Sequence, residues 1–213
     1  MKTQARVVVI GGGAIGVSVA YHLAKYGWQD VVLVEKHELT SGSTWMAAGN
    51  CSFFHGNYYC TQVNMKSIEM YQSLEEETGQ SVGWHTTGSI RTADNDGRME
   101  ELGYIYSMNR CLGLDVSWVT PEEIAKLHPL IVTDGFLGGL YWPDDGDVDP
   151  NGITMAMSIG ARKYGAEINT HTMVTGLDQT PSGEWVVHTD KGDITCEVVV
   201  NAAGLWAPRV AEM

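Results

Sequence analysis

The pattern that most constrains this chain is an apolar strand followed directly by a glycine-rich turn near the N-terminus. Residues 7–10 are predicted to form the strand, and Gly11, Gly13 and Gly16 follow as a helical pattern begins. Gly11 allows a tight turn, Gly13 lets a phosphate approach the backbone, and Gly16 lets the helix pack closely against the strand. Such a turn directs backbone N–H groups and the positive end of a helix dipole at one point, where a pyrophosphate binds.

A second strand and an acidic residue follow at the expected distance. Residues 31–34 are all apolar, and Glu35 comes directly after them. In dinucleotide-binding domains, an acid about 20 residues beyond the glycine turn holds the ribose hydroxyl groups. A glycine turn alone is weak evidence, because ordinary turns are also rich in glycine. The order strand, glycines, helix, strand and acid is far more specific, and it predicts that the chain binds an adenine dinucleotide.

Charge and composition exclude several classes of partner. The 213 residues include 13 Lys and Arg against 26 Asp and Glu, which gives a formal net charge of −13. A surface of this sign repels phosphate backbones and anionic lipids, so we expect no nucleic-acid partner. No apolar run approaches the roughly 20 residues that a membrane span needs, and we expect no membrane partner.

The cysteines and the N-terminus bear on the cellular location. Cys51, Cys60, Cys111 and Cys196 are scattered, with no C-x-x-C pair and no spacing typical of a zinc site. Scattered free thiols are typical of a reducing compartment. The first apolar segment is the nucleotide strand itself, which leaves too little room for a signal peptide before it. We therefore expect a cytoplasmic protein.

No metal site is predicted. The run that begins at Asp147 fits the first half of a calcium-binding loop, but Ser158 stands where that loop needs a bidentate Glu. Asp149 or Asn151 is more simply explained as the cap of the helix that follows.

The middle of the chain does not continue as a simple nicotinamide-binding unit. After the second strand comes a polar segment bounded by glycines, residues 41–49. Hydrophobic periodicity then predicts helices over residues 64–77, 98–112 and 151–164 and a short helix opened by Pro121. Strands are predicted over residues 82–92, 135–142 and 167–177, with a hairpin over 184–200. The last nine residues look like the start of an unfinished helix, so we expect the sequence to be a fragment.

Five segments together carry a resemblance to a known family. They are the glycine turn 11–16, the pair 35–36, the segment 41–49, the segment 140–150 and the segment 201–206. The most specific string is Ser-Thr-Trp at 43–45 followed by Ala-Ala-Gly at 47–49. With these segments the chain resembles the N-terminal part of FAD-dependent amine oxidoreductases related to D-amino-acid oxidase. Within that group it is most similar to the dimethylglycine and sarcosine dehydrogenases.

The resemblance implies an α/β fold of two interleaved domains. A Rossmann-like, doubly wound FAD-binding domain, expected at residues 1–80 and 150–213, is interrupted by part of an α+β substrate domain at residues 81–149. The sheet of the first domain is expected to resume near residue 198, where a buried strand meets small residues that allow a ligand to approach closely.

The resemblance also implies which residues contact FAD. Residues of the glycine turn, the acid that ends the second strand and its neighbour should meet the adenosine and the pyrophosphate. The segment 42–50 should line the pyrophosphate, the ribityl chain and the flavin ring. The predicted cofactor-binding residues are Gly11, Gly13, Ala14, Ile15, Gly16, Glu35, Lys36, Gly42, Ser43, Thr44, Trp45, Met46, Ala47, Ala48, Gly49, Asn50, Val174, Gly204 and Trp206.

One position departs from the family pattern. Members with covalently attached flavin carry a histidine between the tryptophan and the two alanines, bonded to a methyl group of the flavin. Here that position is Met46. A thioether cannot form this bond, so we expect FAD to be bound without a covalent link.

The implied activity is oxidation of a small N-methylated amino acid or a similar secondary or tertiary amine by hydride transfer to FAD. The resulting iminium hydrolyses, and formaldehyde is released when a methyl carbon is oxidised. An electron-transfer flavoprotein or oxygen would accept the electrons. One alternative is a non-catalytic, flavoprotein-like subunit, since the regulatory subunit of pyruvate dehydrogenase phosphatase resembles the same family. The other is a nicotinamide-dependent dehydrogenase, which the long insertion after Glu35 disfavours.

No catalytic residue is predicted, because flavin-dependent amine oxidation needs little acid–base help from the protein. His55 follows the cofactor segment and could face the flavin. It is equally well explained as a loop histidine without a chemical role.

Overall fold

The computed structural model describes residues 1–213, which form strands and helices in alternation. The strands are β1 (Gln4–Ile10), β2 (Val31–Val34), β3 (Asn50–Cys51), β4 (His85–Thr86), β5 (Ser89–Ala93), β6 (Ser117–Val119), β7 (Gly138–Trp142), β8 (Gly146–Asp147), β9 (Glu167–Asn169), β10 (Val174–Gln179), β11 (Trp185–Thr189) and β12 (Gly192–Asn201). The helices are α1 (Ala14–Lys25), α2 (Tyr58–Thr78), α3 (Asp96–Cys111), α4 (Pro121–Leu127), α5 (Pro150–Lys163) and α6 (Ala207–Ala211). The predicted α/β class, with a parallel sheet and helices, is confirmed.

The chain divides into two compact units. The first unit comprises Met1–Ala48, Ser73–Val82 and Asp149–Met213, and the second comprises Gly49–Gln72 and Gly83–Val148. This division differs from the predicted domain bounds, because residues 49–72 group with the second unit. The reason is local pairing, since β3 forms its ladder with β8 of that unit. The roles of the two units as FAD-binding and substrate domains stay predictions.

The first unit is built on a six-stranded sheet in the order β10-β11-β12-β1-β2-β9. The four strands β12, β1, β2 and β9 are parallel, and β10 and β11 extend the sheet as antiparallel strands. All four residues of β2 are buried, as are the last four of β1. Such continuous apolar runs are typical of parallel strands covered on both faces.

Helices α1 and α5 pack against each other in the first unit, and a glycine allows their close approach. A Cβ at Gly160 would lie 2.6 Å from the ring of Tyr21, which is fully buried. The Tyr21 hydroxyl donates to Glu77 at 2.8 Å, and Lys25 Nζ donates to the same carboxylate at 2.7 Å. Glu77 therefore fixes the end of α2 to α1.

The second unit contains two small antiparallel sheets, in the orders β5-β7-β6 and β3-β8-β4. Helix α3 covers the first of them, and its Leu102 and Ile105 form a core with Leu140 and Trp142 of β7. The Trp142 indole N–H donates a hydrogen bond to the buried Asn109 side chain at 2.9 Å. These two polar groups therefore satisfy each other within the core.

Two stretches predicted to have β-structure each contain two strands, and only the stretch 167–177 was predicted as a single strand. The prediction over 82–92 becomes β4 and β5, which belong to different sheets and are separated by Gly88 with a φ of +68°. The prediction over 167–177 becomes β9 and β10, which lie at opposite edges of the six-stranded sheet. His171 lies between them with a φ of +51°, a left-handed conformation that ends the first strand.

The other predicted elements match the structure with shifted ends. Helix α2 begins at Tyr58, earlier than predicted, whereas α4 opens at Pro121 with Thr120 and Glu123 forming a reciprocal capping box. The hairpin near the end of the chain forms from β11 and β12, as predicted. No helix combines the length and the apolar character that crossing a bilayer requires.

Candidate functional site

The first unit has a cavity of about 640 Å³ at the carboxyl ends of β1, β2 and β12. Open α/β sheets bind their ligands at this edge. The glycine turn, the end of β2 and the residues after β12 form its walls. Its lining comprises Ile10, Gly11, Gly12, Gly13, Ala14, Ile15, Val34, Glu35, Lys36, His37, Ser41, Gly42, Ser43, Thr44, Thr172, Met173, Val174, Ala202, Ala203, Gly204, Leu205, Trp206, Arg209, Val210 and Met213.

The glycine turn is packed too tightly for side chains at two positions. Gly11 has a φ of +115°, and a Cβ there would overlap the carbonyl group of Ala202. A Cβ at Gly16 would overlap the carbonyl oxygen of Gly11. The start of α1 therefore lies directly on the turn, and the turn lies directly on the segment after β12. This packing leaves the backbone of the turn bare toward the cavity.

Glu35 is held in place by two backbone groups. Its Oε2 accepts a hydrogen bond from Gly12 N at 2.6 Å, and its Oε1 accepts one from His37 N at 2.8 Å. A carboxylate has about four acceptor positions, so both oxygens retain capacity for a ligand hydroxyl. The acid is thus oriented before any ligand arrives.

Thr44 joins the predicted cofactor segment to the start of α1. It lies in the 3₁₀ turn Thr44–Met46, and its Oγ1 accepts a hydrogen bond from Ala14 N at 3.0 Å. Gly13 is the N-cap of α1 and supplies no side-chain cap of its own. Thr44 therefore satisfies one of the orphan N–H groups of that helix end, and the others can meet an anion.

Basic and aromatic side chains complete the wall. Lys36 Nζ lies 3.5 Å from the ring centroid of Trp206, and a Cβ at Gly42 would lie 3.8 Å from that ring. Arg209 lines the same cavity. In a chain with a net charge of −13, two cationic side chains at one cavity give a local field that suits a diphosphate.

The structure places most, but not all, of the predicted cofactor residues on this cavity. Gly16 lies beneath the turn instead, where it sets the packing of α1. Trp45 and Met46 are 59% and 61% exposed and lie outside the lining, as do Ala47, Ala48, Gly49 and Asn50. Thr172 and Arg209 also line the cavity, and neither was predicted from the sequence. A basic residue one turn beyond the Gly-Leu-Trp string was a usable signal for Arg209, but no local pattern marks Thr172.

A buried carboxylate organises the second unit just after β3. Asp145 is fully buried and accepts hydrogen bonds from the Ser52 hydroxyl at 2.6 Å, from Phe53 N at 2.8 Å and from the Ser89 hydroxyl. It therefore ties the segment that follows β3 to β5. Nearby, His55 is an exposed loop residue whose Nδ1 accepts from Asn57 N at 3.0 Å.

The supposed half of a calcium loop is a helix cap. The Asp149 side chain accepts a hydrogen bond from Asn151 N at 2.9 Å and caps α5. No group of three or more His, Cys, Asp or Glu side chains is arranged to hold a metal ion.

The four thiols are expected to differ in reactivity. Burial, with help from the charges of Asp147 and Asp145, raises the pKa of Cys51 to about 11, and burial raises the pKa of Cys196 to about 11. Cys60 and Cys111 are exposed. Because the thiolate is the nucleophile, we expect iodoacetamide near pH 8 to alkylate Cys60 and Cys111 and to spare the other two.

Peptide mass spectrometry of native and urea-unfolded samples measures this difference. Alkylation of all four thiols after unfolding is the control. Rapid native labelling of Cys51 or Cys196 would contradict the expected protection.

Comparisons with a family model and with curated relatives point to the same family. The family model described as FAD dependent oxidoreductase (DAO) matches residues 6–213. Rat dimethylglycine dehydrogenase is 47% identical over 212 residues, which cover 100% of this chain and 25% of that protein. The mouse pyruvate dehydrogenase phosphatase regulatory subunit is 37% identical and covers 97% of this chain and 24% of its own length. The chain thus spans about a quarter of the length of these curated relatives.

A solved structure supports the fold. The crystal structure of L-proline dehydrogenase from P. horikoshii superposes with a TM-score of 0.91 at 30% identity, covering 100% of this chain and 56% of that one. The predicted resemblance to the amine oxidoreductases is therefore confirmed.

The expected cytoplasmic location is contradicted. Both mammalian relatives are named as mitochondrial proteins, and they match this chain over 97% or more of its length. The cysteine pattern did not separate these compartments, because free thiols are compatible with any reducing environment.

Proposed function

The chain belongs to the DAO family of FAD-dependent oxidoreductases, and on that premise we propose that the protein oxidises a small N-methylated amino acid of the dimethylglycine type. The 47% identity to rat dimethylglycine dehydrogenase over the whole chain carries the substrate class. The cavity of the first unit supports the cofactor. An electron-transfer flavoprotein or oxygen serves as the electron acceptor.

The residues present fit FAD. Side chains at Gly11 and Gly16 would collide with the backbone of Ala202 and of Gly11 and would disturb the turn that forms the cradle for the diphosphate. Lys36 and Arg209 supply positive charge on the wall of the same cavity. Glu35, oriented by two backbone N–H groups, would hold the adenosine ribose. The nineteen residues named from the sequence are proposed as cofactor contacts, with Gly16 acting through packing.

When bound, FAD supplies the acceptor for a hydride from the carbon next to the amine nitrogen. The chain contributes binding and orientation. The fixed Glu35 and the bare glycine turn would hold the adenosine and diphosphate part of FAD in one position. The oxidised substrate is an iminium, which water hydrolyses to formaldehyde and the demethylated amine.

Reduction of the flavin under anaerobic conditions tests the proposal. We expect dimethylglycine or sarcosine to bleach the yellow absorbance of the FAD-loaded protein, and the colour to return when oxygen or an electron-transfer flavoprotein is added. Trimethylglycine is the control, because its nitrogen has no lone pair to support loss of a hydride. A flavin that every amine leaves oxidised would overturn the proposed activity.

The second candidate is a non-catalytic regulatory subunit. The 37% identity to the phosphatase regulatory subunit favours it, although this is lower than the identity to the dehydrogenase. A protein that binds FAD but shows no reduction by either amine would support this alternative.

Acid denaturation of the protein is expected to release FAD with no polypeptide attached to it. Met46 stands at the position of the family's flavin-linking histidine, and its side chain is 61% exposed. A thioether forms no bond to the flavin methyl group, so acid precipitation of the loaded protein should leave yellow FAD in the supernatant. Heating the resuspended pellet in detergent and scanning it for flavin fluorescence is the control. Colour that stays with the pellet would show a covalent link.

A further inference from the structure

Two cavity residues, Lys36 and Trp206, meet across the central part of the parallel sheet in the first unit. Lys36 follows the end of β2, and Trp206 follows the end of β12. Strand β1 lies between these two strands and runs parallel to both. A contact between the two side chains therefore crosses the carboxyl end of β1, where the glycine turn begins. This pair is called the Lys36–Trp206 clasp, and both residues line the cavity.

The ammonium group of Lys36 has an indole ring as its partner and no carboxylate. Its Nζ lies 3.5 Å from the centroid of the Trp206 ring. The side chain forms no hydrogen bond and no ion pair within the chain. A cation at this distance is attracted by the electrons of the ring, and the N–H donors of the ammonium group stay available for oxygen acceptors. The clasp thus holds a positive charge at the cavity without neutralising it.

The backbone around the indole is held in place, whereas the lysine side chain is flexible by nature. Trp206 closes a 3₁₀ turn, in which its N–H donates to the carbonyl oxygen of Ala203 at 3.0 Å. The side-chain amide of Asn201 donates to the carbonyl oxygen of Ala207 at 2.8 Å, which joins the start of α6 to the end of β12. Lysine carries its charge on a flexible four-carbon stem, so the contact with the indole restricts where the ammonium group of Lys36 lies.

We propose that Trp206 positions the ammonium group of Lys36 for the diphosphate of FAD. Trp206 is then a positioning residue, which acts on the cofactor through Lys36. The diphosphate is the anionic part of FAD, and its oxygens would accept from the available N–H donors. In a chain with a net charge of −13, a lysine that moved freely would be drawn to carboxylates elsewhere. This inference rests on the part of the proposed function that assigns the cavity to FAD.

Titration of the FAD-free protein with FAD at several salt concentrations, followed by flavin fluorescence, tests the role of Trp206. We expect K36M to weaken binding about 10-fold at low ionic strength and to reduce its salt dependence, because one ionic contact is lost. W206L should weaken binding about fivefold and also reduce the salt dependence, because the freed ammonium group spends less time at the diphosphate. W206F keeps an aromatic face and should stay within about twofold of the wild type.

A double-mutant cycle separates positioning of Lys36 from an independent effect of the indole on the cofactor. W206L should weaken binding about fivefold when Lys36 is present, but less than about twofold in the K36M background, where no ammonium group remains to be placed. An equal loss in both backgrounds would show that the indole acts on FAD without Lys36, and the inference would be wrong. Unchanged affinity in K36M alone would overturn it as well.

Arg6 and Trp28 provide a matched control in the same unit. The guanidinium carbon of Arg6 lies 4.2 Å from the centroid of the Trp28 ring, and neither residue lines the cavity. W28L removes a cation–π contact of the same kind and should leave the affinity for FAD and its salt dependence unchanged. The urea midpoint of each variant shows whether it is folded. If W206L does not fold, W206M takes its place with the same expected losses, because methionine adapts its shape to the space available.

The outcomes separate this inference from the proposed function. If the wild type binds FAD and the losses in the cycle are additive, only the inference is wrong. If the wild type binds FAD but neither dimethylglycine nor sarcosine reduces it, the proposed oxidation fails, and the titrations still decide the role of the clasp. If the wild type takes up no FAD, both fail together.

Discussion

Replacement of Gly16 by alanine is expected to abolish uptake of FAD. A Cβ at this position would overlap the carbonyl oxygen of Gly11, and it would lie 3.3 Å from the Cβ of Ala202. The nearest obstacle is backbone, which cannot rotate away as a flexible side chain can. Relief therefore requires α1 to move off the turn that carries the predicted diphosphate site. Overpacking of this kind costs about 3 kcal/mol or more, which corresponds to at least about a 100-fold loss of affinity.

The molar ratio of FAD to protein after purification, followed by a fluorescence titration with added FAD, measures this loss. G13A provides a second comparison, because within the protein its Cβ would meet only the Thr44 hydroxyl at 3.2 Å, so any loss of affinity there would come from obstruction of the phosphate and not from a displaced α1. G103A in α3 is the control for a glycine in open space, since nothing lies within 4 Å of its Cβ. That helical site should tolerate alanine with slightly raised stability. Full FAD occupancy in G16A would show that α1 does not need to lie against the turn.

The parts of the fold that sequence predicts well are those encoded over short distances. The strand, turn and helix at residues 4–25 follow one another without interruption, and each has its own pattern of apolar residues or glycines. The acid at Glu35 follows from its place at the end of a buried strand. The hairpin β11-β12 is equally local, because its turn at Gly192 has a φ of +117° that favours glycine.

Long-range pairing explains the features that the sequence does not reveal. Residues 167–177 have one continuous strand-like pattern, yet β9 pairs with β2 whereas β10 pairs with β11. Nothing in the local pattern distinguishes these partners. The capping of α1 by Thr44 is a similar case, because the hydroxyl and the N–H it satisfies are 30 positions apart in the chain.

Replacement of Asp145 by alanine is expected to destabilise the second unit by about 3–5 kcal/mol. The carboxylate is fully buried, and its partners are the Ser52 hydroxyl, Phe53 N and the Ser89 hydroxyl. Alanine would leave these donors unpaired in a site where water no longer competes, and each buried unpaired donor costs about 1–3 kcal/mol. The midpoint of urea unfolding measures the change. D144A, at the exposed neighbouring position, is the matched control and should shift stability by less than about 0.5 kcal/mol.

A double-mutant cycle decides whether the carboxylate or the lost volume causes the effect. Once Ser89 is also alanine, one of the donors that needs Asp145 is gone. The pair D145A/S89A should therefore be less destabilised than the sum of the single variants, by about 1 kcal/mol or more. Additive effects would mean that the hydrogen bond between these two side chains contributes little, and that Asp145 acts mainly by filling space.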